Sequence, residues 1–584
     1  MKSATFTKLT RTALAGMMAC SMALTAVAAT VSTGGVMVRA AENKTVEKTT
    51  IELHKKAIYD NTTKENTGSS ITYFDNLDPV SGVTFTPYNV TQWVQDNTAK
   101  YLSAENAVEY LTANWNQMKV ELAGQQLSSE VTADKTGIAT FKLPSRTLLT
   151  NGQYRNSIYL FEETASAHDD SFMRAAPMVV GLSTELKALD KVIVYPKNVG
   201  LEKDLYVNNT IMDDFGAYSF EVGQQLTYKS TMTVPENILH RYEDSDENEQ
   251  YTYQYLSFLD VMTQAGTDFG GVTSIATTDA PLVNLLDEFN QFGSAVTSND
   301  AAWADTLEGL SNFNADPHAG FYYNFDLGAN ELTEDVEALL GRIAGKTLTF
   351  TYTVTINEEA EEHQDIGNNF YVRYHNGQSD FTVSDDAPVI ETSGHDFTKI
   401  SSADDKVKLA GAEFVLSRNL NGTTEYAKFN YDAGNGPDSG EYAPSSITWY
   451  TLVGDETLEE AQDDKHVSTF TTDADGYVGF RGLAAETIGV DAEGKATKNL
   501  ISYTLTETKA PAGYEISANP HTPFNVTLSA IDETELPMVG KKSITNTPDK
   551  SILPVTGANG IIGFLVLGAA AMGGATIYNK KRKA

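Results

Sequence analysis

Residues 348–354 read Leu348-Thr349-Phe350-Thr351-Tyr352-Thr353-Val354. Threonine, aromatic and branched aliphatic side chains fill the run, the residue types that suit a pleated, half-buried surface. Gln225-Leu226-Thr227-Tyr228-Lys229-Ser230-Thr231-Met232-Thr233-Val234-Pro235 alternates in the same way, and Tyr255–Met262 and Asn368–Tyr374 are further short runs of this kind. With 28 Tyr and 25 Phe in 584 residues, the pattern predicts an all-β protein. Length alone suggests about four domains. Setting the two ends aside leaves about 510 residues, enough for three sizeable cores. The formal charge of −36 argues against a nucleic-acid partner and suits a solvated extracellular surface.

The two ends are apolar. Lys2, Lys8 and Arg11 precede an Ala-rich stretch from Ala13 to Ala29, the form of a secretory signal peptide over residues 1–41, with cleavage near Ala28 or near Ala40. Cys20 is the only cysteine and lies in that leader, so the mature chain is exported without a disulfide. At the other end an uncharged stretch from Gly560 to Tyr578 is followed by Lys580-Lys581-Arg582-Lys583. As a helix it is just long enough to cross a bilayer, and the basic end would stop transfer. Immediately before it stands Leu553-Pro554-Val555-Thr556-Gly557.

The pentapeptide, apolar segment and basic end together resemble the cell-wall sorting signal of Gram-positive surface proteins, here 549–584. The resemblance implies cleavage between Thr556 and Gly557 by a sortase transpeptidase, which holds the Thr556 acyl group as a thioester until an amine takes it. Residues 42–198 would form a first domain ending in Val192-Ile193-Val194-Tyr195-Pro196-Lys197. That ending resembles the pilin motif of sortase-assembled pili, which makes Lys197 the acceptor amine. A tryptophan often stands four residues before the first valine of the motif; here the position is Ala188. Within this domain a helix is expected over Ala104–Leu122.

Residues 199–392 resemble the middle immunoglobulin-like domain of pilus shaft subunits, with a partly helical insertion expected over about 280–345. Residues 393–548 contain Asp396–Ile400, Leu409–Leu416, Tyr503–Tyr514 and Ile544–Pro548, which in order resemble the collagen-adhesin B-type domain. The fold implied is three tandem immunoglobulin-like β-sandwiches between a signal peptide and a transmembrane sorting signal.

In these families a lysine near the first strand, an acid between, and an asparagine on the last strand form an intramolecular isopeptide bond. By position the third domain joins Lys399 to Asn546 with Glu507 assisting. The second joins Lys203 to Asn368, or to the adjacent Asn369, with Asp260 assisting. Burial lowers a lysine's pKa and makes it a neutral nucleophile, while a buried carboxyl tends to stay protonated and can polarise the amide oxygen. Lys55 and Lys56 are possible donors in the first domain, without an evident acceptor.

The implied protein is a pilus shaft subunit on the Gram-positive cell wall. Its partners are further copies of itself, sortases and peptidoglycan, with accessory pilins and a host ligand as further expectations. No cofactor, metal or enzymatic activity beyond the self-directed bonds is expected. A monomeric wall-anchored adhesin of the same domains is the alternative. A surface hydrolase finds no support: the nine His show no HExxH spacing, and no Gly-x-Ser-x-Gly occurs.

Overall fold

The structure, a computed structural model, describes residues 47–57, 66–167, 174–197, 200–212, 217–243, 249–277, 283–297, 319–328, 332–375, 380–432, 440–492, 495–528 and 543–549. The expected signal peptide with Cys20, the pentapeptide Leu553–Gly557 and the apolar tail lie outside these residues. Among the described residues no helix is long and apolar enough to cross a membrane. The chain divides into two compact units. One is Met1–Ser393 with Gly482–Leu500 and Thr527–Ile531; the other is Gly394–Arg481 with Ile501–Val526 and Asp532–Ala584.

The protein is mainly β. In residues 48–194, strand Lys48–His54 pairs antiparallel with Ile138–Pro144 and parallel with Val192–Val194. A second sheet orders Glu130–Val131, Val83–Asn89, Ile158–Ser166 and Met178–Gly181. Ile51, Leu53, Phe141 and Val192 of the first sheet share one core with Val83, Phe85, Tyr159 and Phe161 of the second. Helices Thr91–Asn97, Ala104–Ala113 and Trp115–Glu121 cover the second sheet's other face, where Val94, Leu111 and Trp115 pack on Tyr88, Leu160 and Val179. The single helix expected over 104–122 is therefore two. It breaks at Asn114, whose backbone leaves the helical region (φ −102°, ψ 22°) while its side-chain amide donates to the Tyr110 carbonyl.

Residues 201–391 build a five-stranded sheet and a six-stranded sheet. The first orders Thr210–Ile211, Leu201–Val207, Gln225–Thr233, Thr347–Ile356 and Thr267–Thr277. The second orders Tyr218–Ser219, Asp380–Glu391, Ile366–His375, Tyr255–Met262, Ala319–Asp326 and Gly293–Thr297. The run that opened the sequence reading is a central strand here. Leu348, Phe350, Tyr352 and Val354 are buried, while the intervening threonines are only partly so. Phe350 meets Phe258, Phe321 and Phe370 of the facing sheet at ring distances of 5.0, 5.6 and 5.7 Å.

Two expectations are corrected in this region. The stretch read as a partly helical insertion contains helices Leu286–Phe289 and Glu334–Ile343, but also the inner strand Ala319–Asp326, which pairs with Tyr255–Met262. Its alternating Phe321, Tyr323 and Phe325 are all buried, a period-two signal that the length of the insertion obscured. Asn368 lies on Ile366–His375, which is not the last strand: Asp380–Glu391 follows and pairs with it.

In residues 393–548 one sheet orders Glu441–Tyr442, Tyr477–Leu483, Ser393–Ser401, Ser543–Pro548 and Tyr514–Glu515. The other orders Ser446–Tyr450, Thr423–Asn430, Glu413–Leu420, Ser502–Lys509 and His521–Phe524, with Phe470–Thr471 also on Glu413–Leu420. Phe397 on Phe524 and Phe429 on Phe480 close this third sandwich. Phe350→Ala in the middle sandwich is expected to cost about 3–5 kcal/mol, the range for emptying a core phenylalanine site. Chemical denaturation of the two proteins side by side measures it.

Candidate functional site: three buried lysine–carboxylate centres

Among the described residues each sandwich sets a buried lysine amine beside a buried carboxylate. In the third, Lys399, Glu507 and Asn546 are all buried. Strand Ser393–Ser401 runs parallel to Ser543–Pro548, with Lys399 opposite Ile544 and Ser401 opposite Asn546. Lys399 Nζ lies 3.0 Å from Glu507 Oε2 and 5.2 Å from the centre of the Phe414 ring. Asn546 Nδ2 donates to Glu507 Oε1 at 2.8 Å and to the Glu515 carbonyl. Among the described residues Lys399 Nζ and Asn546 Oδ1 have no hydrogen-bond partner of good geometry. The two groups that a bond would involve are thus held by the same carboxylate. Burial lowers the Lys399 pKa, and the Glu507 charge opposes that shift.

The middle sandwich brings Lys203, Asp260 and Asn368 together from three strands and both sheets. Lys203 Nζ pairs with Asp260 Oδ2, and also donates to the Tyr352 hydroxyl and, at 3.3 Å, to Ser230 Oγ. Its head sits against the rings of Tyr228 and Tyr352, 5.2 and 4.7 Å from their centres. Asn368 Oδ1 accepts from the Tyr352 hydroxyl at 2.9 Å, and its Nδ2 faces the Met262 sulfur. Asn369 instead reaches the Tyr371 hydroxyl and is only partly buried, so of the two neighbours it is Asn368 that enters the centre. Desolvation lowers the Lys203 pKa to about 8 against the pull of Asp260.

The first sandwich contains a pair that sequence reading missed. Lys55 Nζ donates to Glu163 Oε2 at 2.6 Å, 108 positions away, and both residues are buried. Lys56 is also buried but donates to the Leu77 carbonyl. The surroundings repeat the third sandwich closely. Lys55 sits 5.9 Å from the Phe85 ring, and Phe85 is the ladder partner of Glu163 beside a register shift; Phe414 and Glu507 stand in the same relation. The Lys55 backbone bonds Gly137 O and Val80 N, and the Lys399 backbone bonds Gly476 O and Leu409 N. Both glycines have positive φ, and a Cβ on either would come within 2.5 Å of the lysine carbonyl oxygen.

Lys197 follows the strand Val192–Val194 at a half-buried position. Tyr195 anchors the approach. Its ring stacks on Phe74 at 4.6 Å, its hydroxyl donates to Asp75 at 2.6 Å, and its backbone N–H and C=O both bond the Asn66 side chain. Neither Asn66 nor Asp75 carries a sequence signal for this role, because each acts across more than 100 positions. Strand Arg241–Glu243 pairs antiparallel with Glu249–Tyr251, and the acidic residues 244–248 between them lie outside the described residues.

Comparison with known proteins matches three stretches of the chain to family models. Residues 46–199 match the Gram-positive pilin subunit D1, N-terminal domain; 395–542 match the prealbumin-like fold domain; 546–584 match the LPXTG cell wall anchor motif. A fimbrial subunit type 1 of Actinomyces viscosus is 34% identical over 119 residues, 20% of this chain and 22% of that protein. The match thus spans about a fifth of that relative's length. The major pilin SpaD of Corynebacterium diphtheriae shares 19% identity at a TM-score of 0.44, over 87% of this chain and 99% of that one. The RrgB pilus protein of Streptococcus pneumoniae shares 14% at 0.37, over 88% and 100%.

Between pH 8 and 10.5 the unlinked middle sandwich should bind fewer protons folded than unfolded, because burial depresses the Lys203 pKa. Its stability should therefore rise with pH across that window. Urea unfolding of Asn368→Ala, compared with Asn368→Ala/Lys203→Met, isolates the effect; equal slopes would show that the amine is not desolvated. In order along it, the chain carries the N-terminal domain of a Gram-positive pilin subunit, a prealbumin-like domain and an LPXTG cell wall anchor motif, the parts of a cell-wall-anchored surface pilin.

Proposed function

We propose that this chain is the shaft subunit of a covalently polymerised pilus, toughened by self-formed Lys–Asn isopeptide bonds. Sortase cleaves Thr556–Gly557, and the Thr556 acyl group passes from the enzyme's thioester to the Lys197 amine of the next copy. Joining a tail to an internal site is a heterologous contact that extends without closing, so it yields a filament. Inside each subunit Lys203 joins Asn368 and Lys399 joins Asn546, with Asp260 and Glu507 moving the protons. Peptidoglycan receives the last subunit; accessory pilins and a host ligand complete the expected partners.

The observation that supports this reading best is the recurrence of one arrangement in three cores. A lysine and a carboxylate buried together cost several kcal/mol of desolvation each. Conversion to a neutral amide with loss of ammonia removes the buried charge on the lysine. Each bond closes a loop of about 150 residues, which by analogy with disulfides adds about 5 kcal/mol. The Lys55–Glu163 pair extends the proposal to a third bond. In the third sandwich the acceptor stands opposite the residue two after the lysine. The same numbering offset from Ile51 opposite Val192 leads to Asn198, which lies outside the described residues.

Intact mass of the folded protein should fall short of the sequence mass by one ammonia per bond. Glu507→Ala and Glu163→Ala should each restore one. A full sequence mass in folded protein would remove the proposal of internal bonds. Wall-released material should run as an SDS-resistant ladder that Lys197→Ala abolishes, whereas a single band from unmutated protein would mark a tethered monomeric adhesin.

A further inference from the structure

The middle centre differs from that of the third sandwich in a way that points to another participant. In the third sandwich Glu507 itself reaches both the amine and the carboxamide. In the middle sandwich the acid is Asp260, one methylene shorter, and the contact to Asn368 runs instead through Tyr352. Its hydroxyl lies 2.6 Å from Asp260 Oδ1 and 2.9 Å from Asn368 Oδ1, and it is also in contact with Lys203 Nζ. Among the described residues it is the one atom that touches all three groups. Tyr228, stacked on it at 5.6 Å, has a buried hydroxyl that meets none of the described hydrogen-bonding groups.

We propose that the Tyr352 hydroxyl is a catalytic group of the middle sandwich, donating to Asn368 Oδ1 as negative charge develops there. The inference rests on the Lys203–Asn368 bond proposed above. A phenol has one hydrogen and here two acceptors. While Lys203 is charged and Asp260 ionised, the carboxylate holds that hydrogen. Transfer of a proton from Lys203 to Asp260 leaves a neutral amine and a weaker acceptor, so the phenol turns to the carboxamide oxygen. Lys203 Nζ then bonds to Asn368 Cγ, and the oxygen gains charge against the Tyr352 O–H. The carboxyl passes a proton to Nδ2 and takes one from Nζ, the Cγ–Nδ2 bond breaks, and ammonia leaves. The phenol ends with its own proton. Burial and the neighbouring Asp260 charge raise its pKa well above the ordinary value, which keeps it a donor throughout.

The test uses the full chain and follows ammonia loss by peptide mass spectrometry at timed intervals after synthesis. The Lys399–Asn546 peptide of the same molecule is the internal clock. Tyr352→Phe should slow the Lys203–Asn368 bond by about 100-fold, the scale for removing one oxyanion donor. Tyr228→Phe, which deletes the adjacent hydroxyl from the same stack, should leave the rate within a few-fold of unmutated protein. If Tyr352→Phe disturbs folding, judged by protease resistance of the middle region, 4-aminophenylalanine at 352 keeps an N–H donor and should restore most of the rate. Bond formation at an unaltered rate in folded Tyr352→Phe would overturn the assignment, as would a folded aminophenylalanine variant as slow as the phenylalanine one. Absence of the bond from unmutated protein would instead overturn the cross-link itself.

Discussion

A lysine amine enclosed in a β-sandwich is the constraint on which the rest of this structure turns. Lys55, Lys203 and Lys399 are each shut away from water beside one carboxylate and against aromatic rings. A buried ion pair seldom stabilises a fold relative to apolar packing of similar volume, because desolvation offsets the attraction. Three such pairs at matched places therefore ask for a chemical reason. Under the reading proposed here, the cost of burial is what drives each lysine toward its neutral, nucleophilic form.

The sheets are arranged to serve those centres. In the third sandwich the strand that carries the lysine, and in the first the strand that ends just before it, pairs in parallel with the domain's final described strand, Ser543–Pro548 or Val192–Val194. Parallel neighbours need a long connection between them, so residues far apart in sequence come to adjacent positions. A covalent tie there would carry tension directly between the strand that enters and the strand that leaves. The middle sandwich solves the problem differently. Lys203 and Asn368 come from opposite sheets, and Tyr352 on a central strand spans the gap that the shorter aspartate leaves.

The resemblance between the first and third centres reaches the backbone. Gly137 and Gly476 both bring a carbonyl to the lysine N–H at a spacing that admits no Cβ. Phe85 and Phe414 both flank the acid next to an irregularity in the ladder. These details set the direction in which each lysine points, and hence that it faces the carboxylate rather than solvent.

Much was legible without coordinates. Alternation in Leu348–Val354 marks a strand with one face inward, since side chains of a pleated strand point to opposite faces in turn. The order Lys399, Glu507, Asn546 sits in segments distinctive enough to recognise, and the Leu553–Gly557 pentapeptide with its apolar and basic sequel is a local pattern. What a strand pattern cannot carry is which residue of one sheet meets which residue of another. Glu163 looks like any acid in Ile158–Ser166 until register and sheet packing set it against Lys55, and Tyr352 looks like one more core aromatic until its hydroxyl is seen between Asp260 and Asn368. The sequence alone determined the faces and the reactive residue types; the tertiary structure decided the neighbours, because contacts such as Lys55 with Glu163 over 108 positions and Lys203 with Asp260 over 57 are made by how sheets pair and stack and by nothing local.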